Sequence, residues 1–262
     1  MSLFPDIRIV PFPRLTQGSR WRAEAMRSYS APQLLWITKG QGRITVAGVT
    51  RGYGPHNAIF IPPRTMHGFE MAGQIYGSAV MFPGMADLDL PDTPHHLRIR
   101  DGQVQVEITG LLDGLDRELT QKRAGARRAI RHYAGLISVW LERQIELAED
   151  VTSVPVSARR LVAGFAALVE KDFRTAKSVA GYAADLGVTS THLTRTCNQT
   201  CGRSASDLLA ERKIGEARRL LADTRAPIKE IAAALGYASP AYFTRAFQSR
   251  TGTTPTAFRK AD

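Results

Sequence analysis

Two stretches near the end of the 262-residue chain carry residue types whose spacing suits hydrogen bonding to nucleic-acid bases. One reads Thr191-His192-Leu193-Thr194-Arg195-Thr196-Cys197-Asn198, the other Ala241-Tyr242-Phe243-Thr244-Arg245-Ala246-Phe247. In each, an adjacent threonine and arginine sit between two apolar residues four apart, Leu193 with Cys197 and Phe243 with Phe247. On a helix the apolar pair faces inward, and Thr194 with Arg195, or Thr244 with Arg245, points outward. An outward arginine can grip guanine bidentately in a major groove.

The elements that would position these residues repeat as well. Val179 to Leu186 and Ile228 to Leu235 are short Ala-rich segments, each ended by a glycine, Gly187 or Gly236. Glycine takes the left-handed conformation cheaply, so it is the residue on which a helix stops. Ser190 (or Thr189) and Ser239 then supply an N-cap, and Pro240 suits the first position of a helix. Each copy closes at a further glycine, Gly202 or Gly252, and the second has one extra residue in its turn. Two matched copies favour a pair of helix-turn-helix units over an ordinary helical hairpin. Between them, residues 205–222 carry Leu208, Leu209, Ile214, Ala217, Leu220 and Leu221 at helical spacing. One long helix there would fix the separation, and units about 34 Å apart reach successive major grooves on one side of B-DNA.

Charge agrees with a polyanionic partner. The chain carries 35 basic and 24 acidic residues, a formal net charge of +11. From Ser157 onward there are 17 basic and 9 acidic residues, against 18 and 15 before it, so the C-terminal part is the more basic in density.

The C-terminal ~100 residues resemble the DNA-binding domain of the AraC/XylS family of bacterial transcription regulators. The match is densest over Ala232 to Phe247 and over Gly252-Thr253-Thr254-Pro255-Thr256-Ala257-Phe258-Arg259. The first unit departs from the family's pattern, with Cys197 where an aromatic is usual and Asn198 where a basic residue is common. The resemblance implies a DNA-contacting set of Ser190, Thr191, Thr194, Arg195 and Asn198 in the first unit. In the second it implies Ser239, Ala241, Tyr242, Thr244 and Arg245. Ser239 and Thr244 are better placed for phosphate than for bases. Ala241 is a poor hydrogen-bonding reader, so the second unit leans toward phosphate positioning.

The first hundred residues read as β-structure. Residues 33–38, 43–47, 57–61 and 75–82 are short apolar or alternating runs stopped by Gly or Pro, the pattern of a sandwich or small barrel. The run Asn57 to Phe69 resembles the centre of the cupin-like sensory domain found in many members of the same family. A sensory pocket would be lined by Trp36, Phe60, His67, Phe69 and Tyr76, with Arg43 or Arg64 available to an acidic ligand. Set against that is plain core filling by the aromatics. His56 and His67 stand alone and His95-His96 lie in a Pro-flanked loop, so neither a metal nor another cofactor is expected.

A helical period begins near Val104. One helix carries Ile108, Leu111, Leu112, Leu115 and Leu119, and a second carries a stripe from Ile130 to Ala148. That stripe serves either a dimer seam or packing within the chain.

The resulting expectation is a multidomain α+β protein: a cupin-like sensory β-barrel with flanking helices over 1–100, a helical dimerisation segment over 101–150, a linker over 151–157, and an all-α double helix-turn-helix domain over 158–262. No HExxH, G-x-S-x-G or phosphate-loop motif marks an enzyme. The function expected is sequence-specific activation or repression of nearby genes. Its partners would be double-stranded promoter DNA, a small organic effector (an aromatic or carboxylic acid), RNA polymerase and a second copy of the chain. Two cysteines, no apolar span and no signal-like N-terminus point to the cytoplasm, away from membranes. The alternatives are a cupin-type enzyme fused to a helical module, and a DNA binder that needs no ligand.

Overall fold

The computed structural model describes residues 7–15, 20–84, 88–121, 123–148 and 154–261. Its N-terminal half is built on β1 (Arg8–Pro11), β2 (Gln33–Lys39), β3 (Gly42–Val46), β4 (Val49–Tyr53), β5 (Asn57–Ile61), β6 (His67–Met71), β7 (Tyr76–Met81) and β8 (His95–Arg98). Two one-turn helices, α1 (Phe12–Leu15) and α2 (Trp21–Glu24), precede β2. The strands form two sheets, ordered β1-β7-β2-β5-β8 and β4-β3-β6, with each neighbouring pair antiparallel. Among the described residues no hydrogen-bonded ladder joins them into a closed barrel.

Strand alternation explains the layering. In β2 and β5, Leu34, Trp36, Ala58 and Phe60 face one way, and Leu35, Ile37, Ile59 and Ile61 face the other. The second set packs against Ile44, Val46, Tyr53 and Met71 of the smaller sheet. The first set is covered by α3 (Gly102–Gln121) and α4 (Ala126–Glu146). The larger sheet is therefore buried on both faces, which is why its central strands read as continuous apolar runs rather than alternating ones.

Helix α3 runs straight through Gly110 and Gly114. Gly114 is needed for close approach, because a Cβ there would lie 2.5 Å from the Tyr133 ring of α4. The stripe on α4 is used inside the chain: Ala134, Ile137, Trp140 and Leu141 are all buried against α3 and the sheet. On the outer side of α4, Leu136 and Val139 are exposed.

The C-terminal half is all helix: α5 (Val156–Asp172), α6 (Val179–Asp185), α7 (Ser190–Cys201), α8 (Ala205–Asp223), α9 (Ile228–Ala234), α10 (Pro240–Thr251) and α11 (Pro255–Ala261). Its core joins Val162, Phe165 and Val169 of α5 to Leu193, Leu208, Ile231, Phe243 and Phe247. A buried ion-pair strut ties α5 to α8, with Arg212 donating to both Glu170 carboxylate oxygens at 2.7 and 2.9 Å. Arg212 also stacks over the Phe173 ring at 3.9 Å.

The two halves dock on each other. Met26 and Met66 of the N-terminal half join the helical core. Ser28 donates to Glu170 at 2.6 Å, and Trp21 meets Phe258 edge-on at 5.4 Å. Among the described residues no helix is long and apolar enough to cross a membrane.

Candidate nucleic-acid interface

Both helix-turn-helix units are built by the same local devices. At the end of α6, Gly187 (φ +66) donates to Ala184 O and Val188 to Ala183 O, each at 3.0 Å. At the end of α9, Gly236 (φ +69) donates to Ala233 O and Tyr237 to Ala232 O, again at 3.0 Å. These are paired Schellman caps, which satisfy the last carbonyls and turn the chain.

Thr189, rather than Ser190, caps α7, its side chain accepting from the His192 N–H at 3.2 Å. Ser239 caps α10 by accepting from the Tyr242 N–H at 3.2 Å, with Pro240 at the first helical position. Both helices end on left-handed glycines, Gly202 (φ +70) and Gly252 (φ +76). Between the units, α8 starts with a full capping box from Ser204 and Asp207. Its 19 residues give a strut about 28 Å long.

With the caps fixed, helical periodicity sets the faces. Leu193, Cys197, Phe243 and Phe247 are buried. Ser190, Thr191, Arg195 and Asn198 are exposed, and Thr194 is half-buried beside them. Together with Gln199 they form one open concave face. In the second unit Ala241, Tyr242 and Arg245 are exposed, and Ser239 and Thr244 are half-buried. Each set of candidate contacts therefore shares one helix face, with Arg195 and Arg245 at equivalent positions. Sequence reasoning missed Gln199 and Gln248. Gln199 follows Arg195 by four, and Gln248 corresponds to Asn198, so the same outward spacing would have found both.

Cys197 and Cys201 are free, buried thiols. Burial, with Cys201 alongside, pushes the Cys197 thiol up to about 12, the state of a packing residue rather than a reactive one. Among the described residues no group of three or more His, Cys, Asp or Glu is placed to hold a metal ion.

The first unit is anchored to the sandwich from behind. The Thr200 hydroxyl at the end of α7 donates to Gly48 O at 3.1 Å. Just past α7, Arg203 donates to Thr45 Oγ1 at 3.1 Å and pairs with Glu70.

The candidate ligand residues of the N-terminal half do not converge, and the expected common pocket mouth is corrected. Trp36 and Phe60 lie on the sheet face covered by α3 and α4, where Trp36 donates to Thr109 at 3.3 Å and meets Trp140 edge-on at 6.4 Å. His67 is buried on β6, its Nδ1 donating to Thr65 O at 2.9 Å. Burial holds its pKa down, near 4, and the nearby Arg27 and Arg212 charges add to this. Phe69 is half-buried on the same strand, between Phe12 and Tyr53. Tyr76 is exposed at the start of β7, with its hydroxyl on Gln74 and the Lys39 ammonium over its ring. Arg43 is 3.9 Å from Glu70 and lines a cleft that it shares with Phe69 but not with Trp36, Phe60, His67 or Tyr76. Period-two alternation says that a strand has two faces, but not which neighbour covers each.

This geometry defines a protein with a docked β-sandwich and a duplicated helix-turn-helix module whose second helices, α7 and α10, present arginine outward. Comparison with known proteins agrees for the C-terminal part: residues 182–261 match the helix-turn-helix domain family. An uncharacterized HTH-type transcriptional regulator, YfiF of Bacillus subtilis (strain 168), is 38% identical over 77 residues, 29% of this chain and 24% of that protein. The chain thus aligns with about a quarter of the length of that curated relative. Among solved structures, the C-terminal domain of AraT, a response regulator from Geobacillus stearothermophilus, is 28% identical with a TM-score of 0.38, covering 42% of this chain and 89% of that one. ToxT from Vibrio cholerae O395 is 13% identical with a TM-score of 0.41, covering 98% of this chain and 97% of that one.

Proposed function

We propose that the protein is a sequence-specific DNA-binding transcription regulator, controlled by a small organic effector and acting on nearby genes. The observation that carries this reading is the duplicated outward arginine. Arg195 and Arg245 stand exposed at the same position of two identically capped helices joined by one strut.

In this reading α7 and α10 enter adjacent major grooves. Thr191, Thr194, Arg195 and Asn198 read bases, with Ser190 at the helix start beside the backbone. Arg245 with Ala241 and Tyr242 approaches bases, while Ser239 and Thr244 serve phosphate. The division proposed is sensory 1–100, helical 101–150, linker 151–157 and DNA-binding 158–262; α5 already begins at Val156, inside the expected linker, and residues 149–153 lie outside the described residues. A homodimer would use the outer side of α4, around Leu136 and Val139, because the inner stripe is already covered. The protein works in the cytoplasm, contacts RNA polymerase when it activates, and is not an enzyme.

The test is selection of bound fragments from genomic DNA, followed by titration on the selected site and on random duplex. Arg195→Ala and Arg245→Ala should each weaken the selected site by about 1–3 kcal/mol and relax base preference there, leaving random duplex nearly unaffected. Equal losses on both duplexes would reject base reading by that arginine. Binding to the selected site should also fall steeply with salt.

A further inference from the structure

Inside the sandwich, a cavity of about 20 Å3 has apolar walls that include Phe12, Leu35 and Met81, and four polar side chains border it, those of Arg27, Tyr29, Gln33 and His67. That volume holds about one water-sized body and excludes an organic molecule. Arg27 is fixed at the cavity by its backbone, which donates to His67 O at 2.9 Å and accepts from the His67 N–H at 2.8 Å. Its Nε donates to Ala25 O at 3.1 Å and its Nη1 to the Tyr29 hydroxyl at 3.2 Å. Its Nη2 is enclosed and has no acceptor. Among the described residues no carboxylate pairs with this guanidinium.

The other polar groups point to the same need. Gln33, at the start of β2, is 3% exposed, and among the described residues its side-chain amide has no hydrogen bond. Tyr29 accepts from Arg27, so its own O–H proton is left for a second partner. His67 spends Nδ1 on Thr65 O. Enclosed donors without acceptors are rare, because each forfeits its hydration for nothing. Here three donors border one small space, and one of them is charged. The local field is positive as well: besides burial, the charges that hold His67 near 4 are those of Arg27 and Arg212.

We propose that this cavity binds one small inorganic monoanion of halide size, held by Arg27, Gln33 and Tyr29. A water molecule would satisfy the donors but leave the guanidinium charge uncompensated in an apolar surround. The ion lies at the seam between the two halves. Met26 and Ser28, on either side of Arg27, respectively join the helical core and donate to Glu170. An occupied site therefore braces the stretch by which the sandwich grips the helical half.

The site stands apart from the regulator reading, and no DNA enters its test. The full chain is exchanged into sodium gluconate, whose anion is too large for the cavity. Sodium chloride or bromide then replaces the gluconate at constant ionic strength, which holds general screening fixed. Tm should rise saturably, by about 3 °C or more, as a bound ion stabilises the fold by mass action. Anomalous diffraction from crystals grown in bromide should place one bromide beside Arg27 Nη2. Arg27→Gln, with its fold checked by circular dichroism, should lose the halide response. Gln33→Glu puts a carboxylate of the same shape into the cavity wall. At pH 8 it should lose the halide response too, and in gluconate it should melt above the unsubstituted chain. This second variant tests the site even if Arg27→Gln does not fold. No saturable halide effect, an undiminished effect in Gln33→Glu, or water alone in the cavity of bromide-grown crystals would overturn the site.

Discussion

The sandwich and the helical repeat bury charge-capable groups in opposite states. In the sandwich, His67 and His96 are enclosed and neutral, each held near 4 mainly by burial. In the helical half the enclosed carboxylates Glu170 and Glu216 sit against arginine partners. Glu170 and Arg212 bond across α5 and α8, and Glu216 takes Arg174 and Arg219 at 2.8 Å each. Burial alone would raise Glu216, but the hydrogen bonds from Arg219 and Arg174 prevail and hold it near 2. The difference teaches that each half has its own electrostatic weakness, proton uptake in one and loss of a partner in the other.

Acid should separate the halves most strongly. A histidine whose folded pKa lies below its unfolded value contributes stability that is complete above pH ~6.5 and is lost as pH falls toward 4. The shift in each of His67 and His96 corresponds to roughly 3 kcal/mol. Glu216 has a lowered folded pKa, so its contribution survives until pH drops below about 4.5 and goes as pH falls toward 2. All three tryptophans, Trp21, Trp36 and Trp140, lie in the N-terminal half. Tryptophan fluorescence should therefore report destabilisation near pH 5 before the helical half responds to acid. Coincident loss at both ends would break the contrast.

Glu170→Ala attacks the other weakness. It leaves buried Arg212 with Glu216, at 3.6 Å, as its carboxylate partner among the described residues, and frees Ser28. Breaking a buried pair in this way costs about 3–5 kcal/mol, checked by urea unfolding at pH 7. A neutral outcome would mean that the strut contributes no more than an exposed pair.

The smallest effect compares the two repeat turns. At Gly187 an added methyl meets nothing within 4 Å, so Gly187→Ala should cost only the left-handed penalty of about 1–2 kcal/mol. At Gly236 the same methyl would lie 2.3 Å from Thr175 O and 2.4 Å from its carbonyl carbon. Gly236→Ala should cost about 1–3 kcal/mol more, since backbone must move. Equal Tm shifts would show that the second turn is looser than its packing indicates.

What was legible in the sequence follows the range of the interactions. The repeat could be read because caps, glycine turns and four-residue spacing act within one or two turns of chain. Strands β2, β3, β5 and β7 could be read because their cores are short apolar or alternating runs. Strands β1, β4 and β8 escaped because they are edge strands carrying polar residues such as Arg8, Arg51 and His95. The ligand candidates failed for a related reason. Trp36 and Phe60 are aromatic and on strands as expected, but the helical hairpin, not a ligand, covers them.

The sequence by itself determined the second helix of each helix-turn-helix unit, their caps, the strut between them and the outward arginines, because local backbone chemistry settles each of these. Only the tertiary structure decided that the α4 stripe is consumed within the chain and that the sandwich grips the back of α7. Those outcomes depend on surfaces more than a hundred residues apart in the chain coming to share one boundary, and no periodicity within a segment encodes which distant surface it will cover.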